Sequence, residues 1–164
     1  MIFIQNKFCV EWNEGPINYL PLNLLDHLFG YFSEKYHIIY SRPGISVSKD
    51  YSKDANVFCD YPDTLVAAKH NIKVLENMDF ENYNKTKIEI LSSAAVFIGV
   101  QGGGSYLAAF YNSLNIFILH LKGDELKYGA YEETGFFGYM NNNTSKITVA
   151  HDYHQLWQLL MANL

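Results

Sequence analysis

Arginine is almost missing from this chain of 164 residues: Arg42 is the sole one among 12 basic residues, set against 17 Asp and Glu. The formal charge of −5 excludes a general nucleic-acid binder, which would carry a basic face. Abundant Asn, Ile, Lys and Tyr beside so little Arg fits the coding bias of an AT-rich genome. Cysteine is scarce as well. Cys9 and Cys59 are too few and too isolated for a disulfide framework or a zinc site, which suits a reducing compartment. No uninterrupted apolar run nears membrane-spanning length, and Met1 leads straight into Ile-Phe-Ile without a basic leader region. The expectation is a cytoplasmic chain with no transmembrane segment. His27, His37, His120, His151 and His154 show no ligand spacing such as H-E-x-x-H, so no metal is expected.

What is present is apolar. With 49% hydrophobic and 18% charged residues, the chain has the profile of one compact domain over residues 1–164. Short apolar runs at Ile2 to Gln5, His37 to Tyr40, Lys73 to Leu75, Ala95 to Val100, Ile116 to Leu121 and Ile147 to Ala150 read as strands. Most lack polar alternation, so both faces of the sheet are expected to be covered, as in parallel sheets. Between them Leu22, Leu25, Phe29 and Phe32 recur at helical spacing, as do Ile88 with Leu91 and Leu156 with Leu160 and Leu164. Strand followed by helix, repeated about six times, predicts a single α/β domain: a Rossmann-like, mostly parallel sheet of about six strands flanked by helices.

Ligands of such sheets gather at the carboxyl ends of the strands. Those ends carry Asn6, Lys7, Glu11, Trp12 and Asn13 after the first run, Ser41, Arg42 and Pro43 after the second, Gln101 to Ser105 after Ala95–Val100, and His120, Lys122, Asp124 and Glu125 after Ile116. The run VFIGVQGGGSYLAAF, Val96 to Phe110, stands out among them. A buried-strand pattern breaks into Gly102, Gly103 and Gly104 and resumes as a small-residue helix that Ser105 is placed to cap. Such a loop admits a phosphate close to its backbone. A lone Arg42 at a strand end offers a planar fork suited to the same anion.

Several chemistries fail on spacing. A Walker loop needs Lys and Ser or Thr after the last glycine, where this chain has Ser105 and Tyr106. The dinucleotide fingerprint wants a small residue where Leu107 stands, and belongs to the first strand–helix turn. The serine-hydrolase elbow lacks its final glycine at Leu107, and adjacent Asp124 and Glu125 do not flank a glycosidic bond.

The segment Ala94 to Gly123, an apolar strand ending in Gly-Val-Gln-Gly-Gly-Gly-Ser, a small-residue helix, an Asn-Ile strand and then Lys-Gly-Asp-Glu, resembles the donor-binding half of GT-B glycosyltransferases, heptosyltransferase-like enzymes included. Asn6 to Asn18, NKFCVEWNEGPIN, with Ile38 to Pro43, IIYSRP, is similar to stretches in glycosyltransferases of bacteria and large DNA viruses. The resemblance implies one half of a GT-B fold and metal-independent transfer of sugar from a nucleotide sugar, with no further cofactor. It implies that Gly102, Gly103, Gly104 and Ser105 hold the diphosphate, that Lys7, Arg42 and Gln101 contact the nucleotide or sugar, and that Glu125 meets sugar or ribose hydroxyls. GT-B enzymes have a second Rossmann domain, so an acceptor-binding domain or subunit is the implied partner, and the residue acting as catalytic base is unassigned. A non-catalytic nucleotide- or sugar-binding module and a Rossmann oxidoreductase are the other readings.

Overall fold

The computed structural model describes residues 1–47, 60–111, 115–123 and 146–164. In chain order these form β1 (Ile2–Gln5), α1 (Leu22–Phe32), β2 (Ile38–Ser41), α2 (Pro43–Ser46), α3 (Asp63–Lys69), β3 (Lys73–Val74), α4 (Phe80–Ser93), β4 (Val96–Val100), α5 (Gly103–Ala108), β5 (Asn115–Leu119), β6 (Lys146–Ala150) and α6 (Tyr153–Asn163). The six strands make one sheet in the order β3-β2-β1-β4-β5-β6, with every pairing parallel. This is the Rossmann-like α/β domain expected from the apolar runs.

Side chains leave the strands alternately, and each face finds its own helices. Ile2, Ile4, Ile38, Tyr40, Val96, Ile98, Phe117 and Leu119 join Leu25, Leu28 and Phe29 of α1, Ala67 of α3, and Leu156 and Leu160 of α6. Phe3, Ile39, Phe97, Ile116 and Ile118 join Tyr83, Ile90 and Leu91 of α4 and Ala108 of α5. Over β1, β2, β4 and β5 both faces are thus largely covered, which is why these strands read as unbroken apolar runs. The α4 stripe differs from expectation. Ile88 is 44% exposed, whereas Tyr83, Ile90 and Leu91 are buried. Lys87 holds the intervening position, its ammonium 5.2 Å from the Tyr83 ring, so a lysine stem rather than Ile88 continues the inward face.

Asp79 starts α4 by accepting from Asn82 N at 2.8 Å, and Asp152 starts α6 by accepting from Gln155 N at 2.7 Å. No helix among the described residues is long and apolar enough to cross a membrane. The strand order reverses at β1: the chain steps from β1 toward β2 and β3 on one side, then resumes at β4 on the other. The connections leaving β1 and β4 therefore run to opposite faces and part above the sheet. That parting is where ligands of open parallel sheets sit.

Candidate functional site

The two loops at the parting are built from polar residues that satisfy one another. Asn6, buried at the end of β1, accepts from Lys7 N at 2.9 Å and Leu20 N at 2.8 Å, and donates to Leu20 O at 3.0 Å and the Tyr40 hydroxyl at 3.2 Å. It thereby pins both ends of the loop that leads into α1. Glu11 pins the middle. Its carboxylate accepts from Asn18 N and Asn18 Nδ2, each at 2.8 Å, and from Lys7 Nζ at 2.9 Å. Burial alone would raise the Glu11 pKa, but hydrogen bonds from Asn18 and Lys7 outweigh it and hold the carboxyl below its usual range. Asn18, itself fully buried, accepts from Leu121 N at 2.8 Å and donates to Lys122 O at 2.9 Å, tying this loop to the end of β5.

The glycine loop comes in from β4. Gly102 has φ of +137° and ψ of −177°, a conformation open essentially to glycine. A Cβ on Gly103 would meet nothing within 4 Å, whereas one on Gly104 would fall on the Gln5 side chain. Gly102 and not Ser105 occupies the capping position of α5. The Ser105 hydroxyl, expected to cap the helix and hold phosphate, instead donates to Val100 O at 2.6 Å in a buried position. The chain turns so sharply after β4 that residue 105 comes back over residue 100, and the hydroxyl staples that turn.

Lys7 joins the two loops. Its ammonium lies 2.9 Å from both Glu11 Oε2 and Gln101 Oε1, and 3.6 Å from the place a Cβ would occupy on Gly102. Around these groups lies a cleft of about 120 Å³, lined by Gln5, Asn6, Lys7 and Gln101 to Ser105 with Pro43, Phe97 and Val100 beneath. Gln5 is 9% exposed; its Nε2 donates to the Tyr83 hydroxyl at 3.3 Å, and its Oε1 is buried without a hydrogen-bond partner. A wider depression of about 620 Å³ runs past Tyr36, His37 and His70. It lies at the amino ends of β2 and β3, the wrong edge for a ligand of this topology. Another of about 360 Å³ lies between α1 and α6.

Of the residues anticipated for this site, Lys7, Gln101 and Gly102 to Gly104 converge. Arg42 does not join them. It is fully buried, with Nε 2.6 Å from Asp63 Oδ2, Nη2 3.2 Å from Asp63 Oδ1, and Nη2 also donating to Tyr61 O at 3.2 Å. The Tyr40 hydroxyl donates to the same Asp63 carboxylate at 2.5 Å, and burial followed by the Asp63 charge pushes that phenol well above its ordinary pKa. Arg42 therefore neutralises an interior carboxylate rather than offering its fork to an anion at the cleft. Glu125 lies outside the described residues. Among the described residues, no group of three or more His, Cys, Asp or Glu is placed to hold a metal ion.

Sequence reasoning missed Asn18, whose role depends on contacts with Glu11 and Lys122 from opposite directions. The one available signal was the run of polar residues Asn6, Glu11 and Asn18 directly after a buried strand. No family model, curated protein or solved structure matches the chain.

Proposed function

We propose that the β1–β4 cleft binds the diphosphate of a nucleotide sugar and that the domain serves as the donor-binding lobe of a GT-B glycosyltransferase. One observation carries the reading: the glycine loop and the Lys7 ammonium stand together where the strand order reverses. The cleft has the size of a phosphate group rather than of a whole nucleotide, so it suits the charged part of the ligand. Gly103 and Gly104 open α5, and the first amides of a helix have no carbonyl partner within it. They are donors for phosphate oxygens. Because α5 has only six residues, these amides and Lys7, rather than a long helix dipole, supply the attraction.

Sugar transfer leaves a nucleoside diphosphate carrying the electrons of the broken sugar–oxygen bond, and fixed donors aimed at that oxygen lower the barrier. Lys7 is prearranged for this by Glu11 and Gln101, and it can exchange Gln101 for a phosphate oxygen without losing its carboxylate partner. The acceptor hydroxyl and its base would come from a second lobe facing the cleft. A dinucleotide oxidoreductase is less well supported, since its glycine loop follows the first strand and here the loop follows β4.

Calorimetric titration with UDP, GDP and ADP, beside NAD and NADP, tests the reading. At least one nucleoside diphosphate should bind, and Lys7→Met should weaken it about tenfold or more, the cost of losing a charge-assisted hydrogen bond. Binding by NAD or NADP alone, or an unaltered affinity in Lys7→Met, would overturn it.

A further inference from the structure

Trp12 occupies a backbone conformation that tryptophan seldom takes. Its φ is +49° and that of Asn13 is +62°. Glu14 N donates to Glu11 O at 2.8 Å, which closes a four-residue turn with both central residues left-handed, the pattern of a type I′ turn. Such positions favour Gly, Asn and Asp, and a bulky side chain there is strained. Asn13 follows that rule. Trp12 breaks it, and burial does not compensate, since the residue stays 49% exposed.

The turn is tied to the lysine of the cleft. Glu11, at its first position, is held by Asn18 and Lys7, and Lys7 in turn abuts Gly102. Across the turn, Lys122 pairs with Glu14 at 2.7 Å and sets its ammonium 6.0 Å from the Trp12 ring centroid. A half-exposed aromatic ring on a left-handed backbone, one ion pair from a phosphate-sized cleft, costs stability, and such a cost is characteristically retained where the side chain has a use.

We infer that Trp12 is the stacking platform for the base of the nucleotide whose diphosphate occupies the β1–β4 cleft; this rests on the diphosphate reading above. The cleft is too small to enclose a base, so the base must lie outside it, and an aromatic face on the turn that begins at Glu11, the partner of Lys7, can hold any base through its π surface. Stacking also accounts for the choice of Trp over the Asn that the turn prefers.

The inference predicts opposite signs for stability and binding. Trp12→Asn should melt at the same temperature as the parent or higher, because Asn accepts the left-handed turn. It should bind UDP, GDP or ADP about tenfold more weakly, the usual effect of removing one stacking partner, while inorganic pyrophosphate binds equally to both proteins. Trp12→Tyr should recover most of the lost affinity. The chain has two tryptophans, so Trp157→Phe leaves Trp12 as the sole reporter, and its emission should be quenched by the nucleoside diphosphate but not by pyrophosphate. Equal nucleoside diphosphate affinity in Trp12→Asn, or emission indifferent to the bound nucleotide, would overturn the inference. If neither nucleoside diphosphate nor pyrophosphate binds the parent protein, the diphosphate reading falls, and this inference with it.

Discussion

The Gln5 side-chain amide lies where a Cβ on Gly104 would stand, its carbon 2.5 Å from that position. The third glycine of the loop is therefore demanded by packing within the protein, whatever binds outside it. Gln5 cannot simply swing aside, since it is buried and its Nε2 is held by the Tyr83 hydroxyl. Gly104→Ala should destabilise the fold by about 1–3 kcal/mol, the range for overpacking a closed interior. Gln5→Ala vacates the contested space, so the double variant should lose at least about 1 kcal/mol less than the sum of the single changes. Denaturant unfolding of the four proteins measures the coupling. Strict additivity would show that the two residues do not compete.

Gly103 behaves in the opposite way, although the sequence presents it as an equivalent neighbour. Nothing stands within 4 Å of its missing Cβ, and its φ is not in the left-handed region. Gly103→Val should leave the unfolding free energy within about 1 kcal/mol of the parent, as expected for an open helix-start position. Nucleoside diphosphate affinity should fall at least about tenfold, because a branched side chain fills the space through which phosphate would approach the amides. Unchanged affinity by calorimetry would remove Gly103 from the site.

The strands were readable because a sheet covered on both faces leaves unbroken apolar runs, and Ile2 to Gln5 and Val96 to Val100 are such runs. Position relative to the strand ends was enough to bring Lys7 and the glycines to one place. Side-chain partnership was not readable. Arg42 looked available because its counter-ion, Asp63, lies 21 residues away and only the tertiary fold brings the two together. Ser105 looked like a cap because spacing along the chain does not reveal that the turn doubles back to Val100 O. Ile88 and Lys87 are neighbours in sequence, and periodicity alone assigned the inward place to the more apolar one.

Acid should loosen the loop before β4 and the rest of the sheet lose their packing. Glu11 is held below the usual carboxylate pKa in the folded protein. A carboxyl depressed in this way stabilises the fold above its unfolded pKa, and that contribution disappears as pH falls through the folded value. Unfolding free energy should therefore decline from about pH 5 downward, with Asp26, depressed by hydrogen bonds from Lys69 and His70, adding to the slope. Glu11→Gln should cost about 1–3 kcal/mol at neutral pH, since Asn18 and Lys7 lose a charged acceptor. It should also flatten the acid slope. A variant as stable as the parent, or one with the same slope between roughly pH 5 and 3, would mean that the Glu11 carboxylate does not carry the loop.

On the proposed reading of the domain as a donor-binding lobe, binding and transfer should separate when the chain is assayed alone. Lys7, its charge offset by Glu11 and its position set by Glu11 and Gln101, presents a charged N–H donor to the glycine loop, and the loop amides add neutral donors. Together they offer the diphosphate oxygens fixed donors that need no divalent ion to position them. Nucleoside diphosphate affinity should consequently change by less than about twofold, well under 1 kcal/mol, when a chelator is added. Transfer requires more than this. The reacting hydroxyl must be held beside the anomeric carbon with a base in reach, and one lobe supplies one wall of that cleft. Donor turnover by the chain alone should therefore be no faster than slow hydrolysis, and a second Rossmann lobe should raise it. A chelator that abolishes binding would assign the missing charge to a metal. Efficient transfer without a partner would place the acceptor site on this domain, beside the cleft that Lys7 and the glycines define.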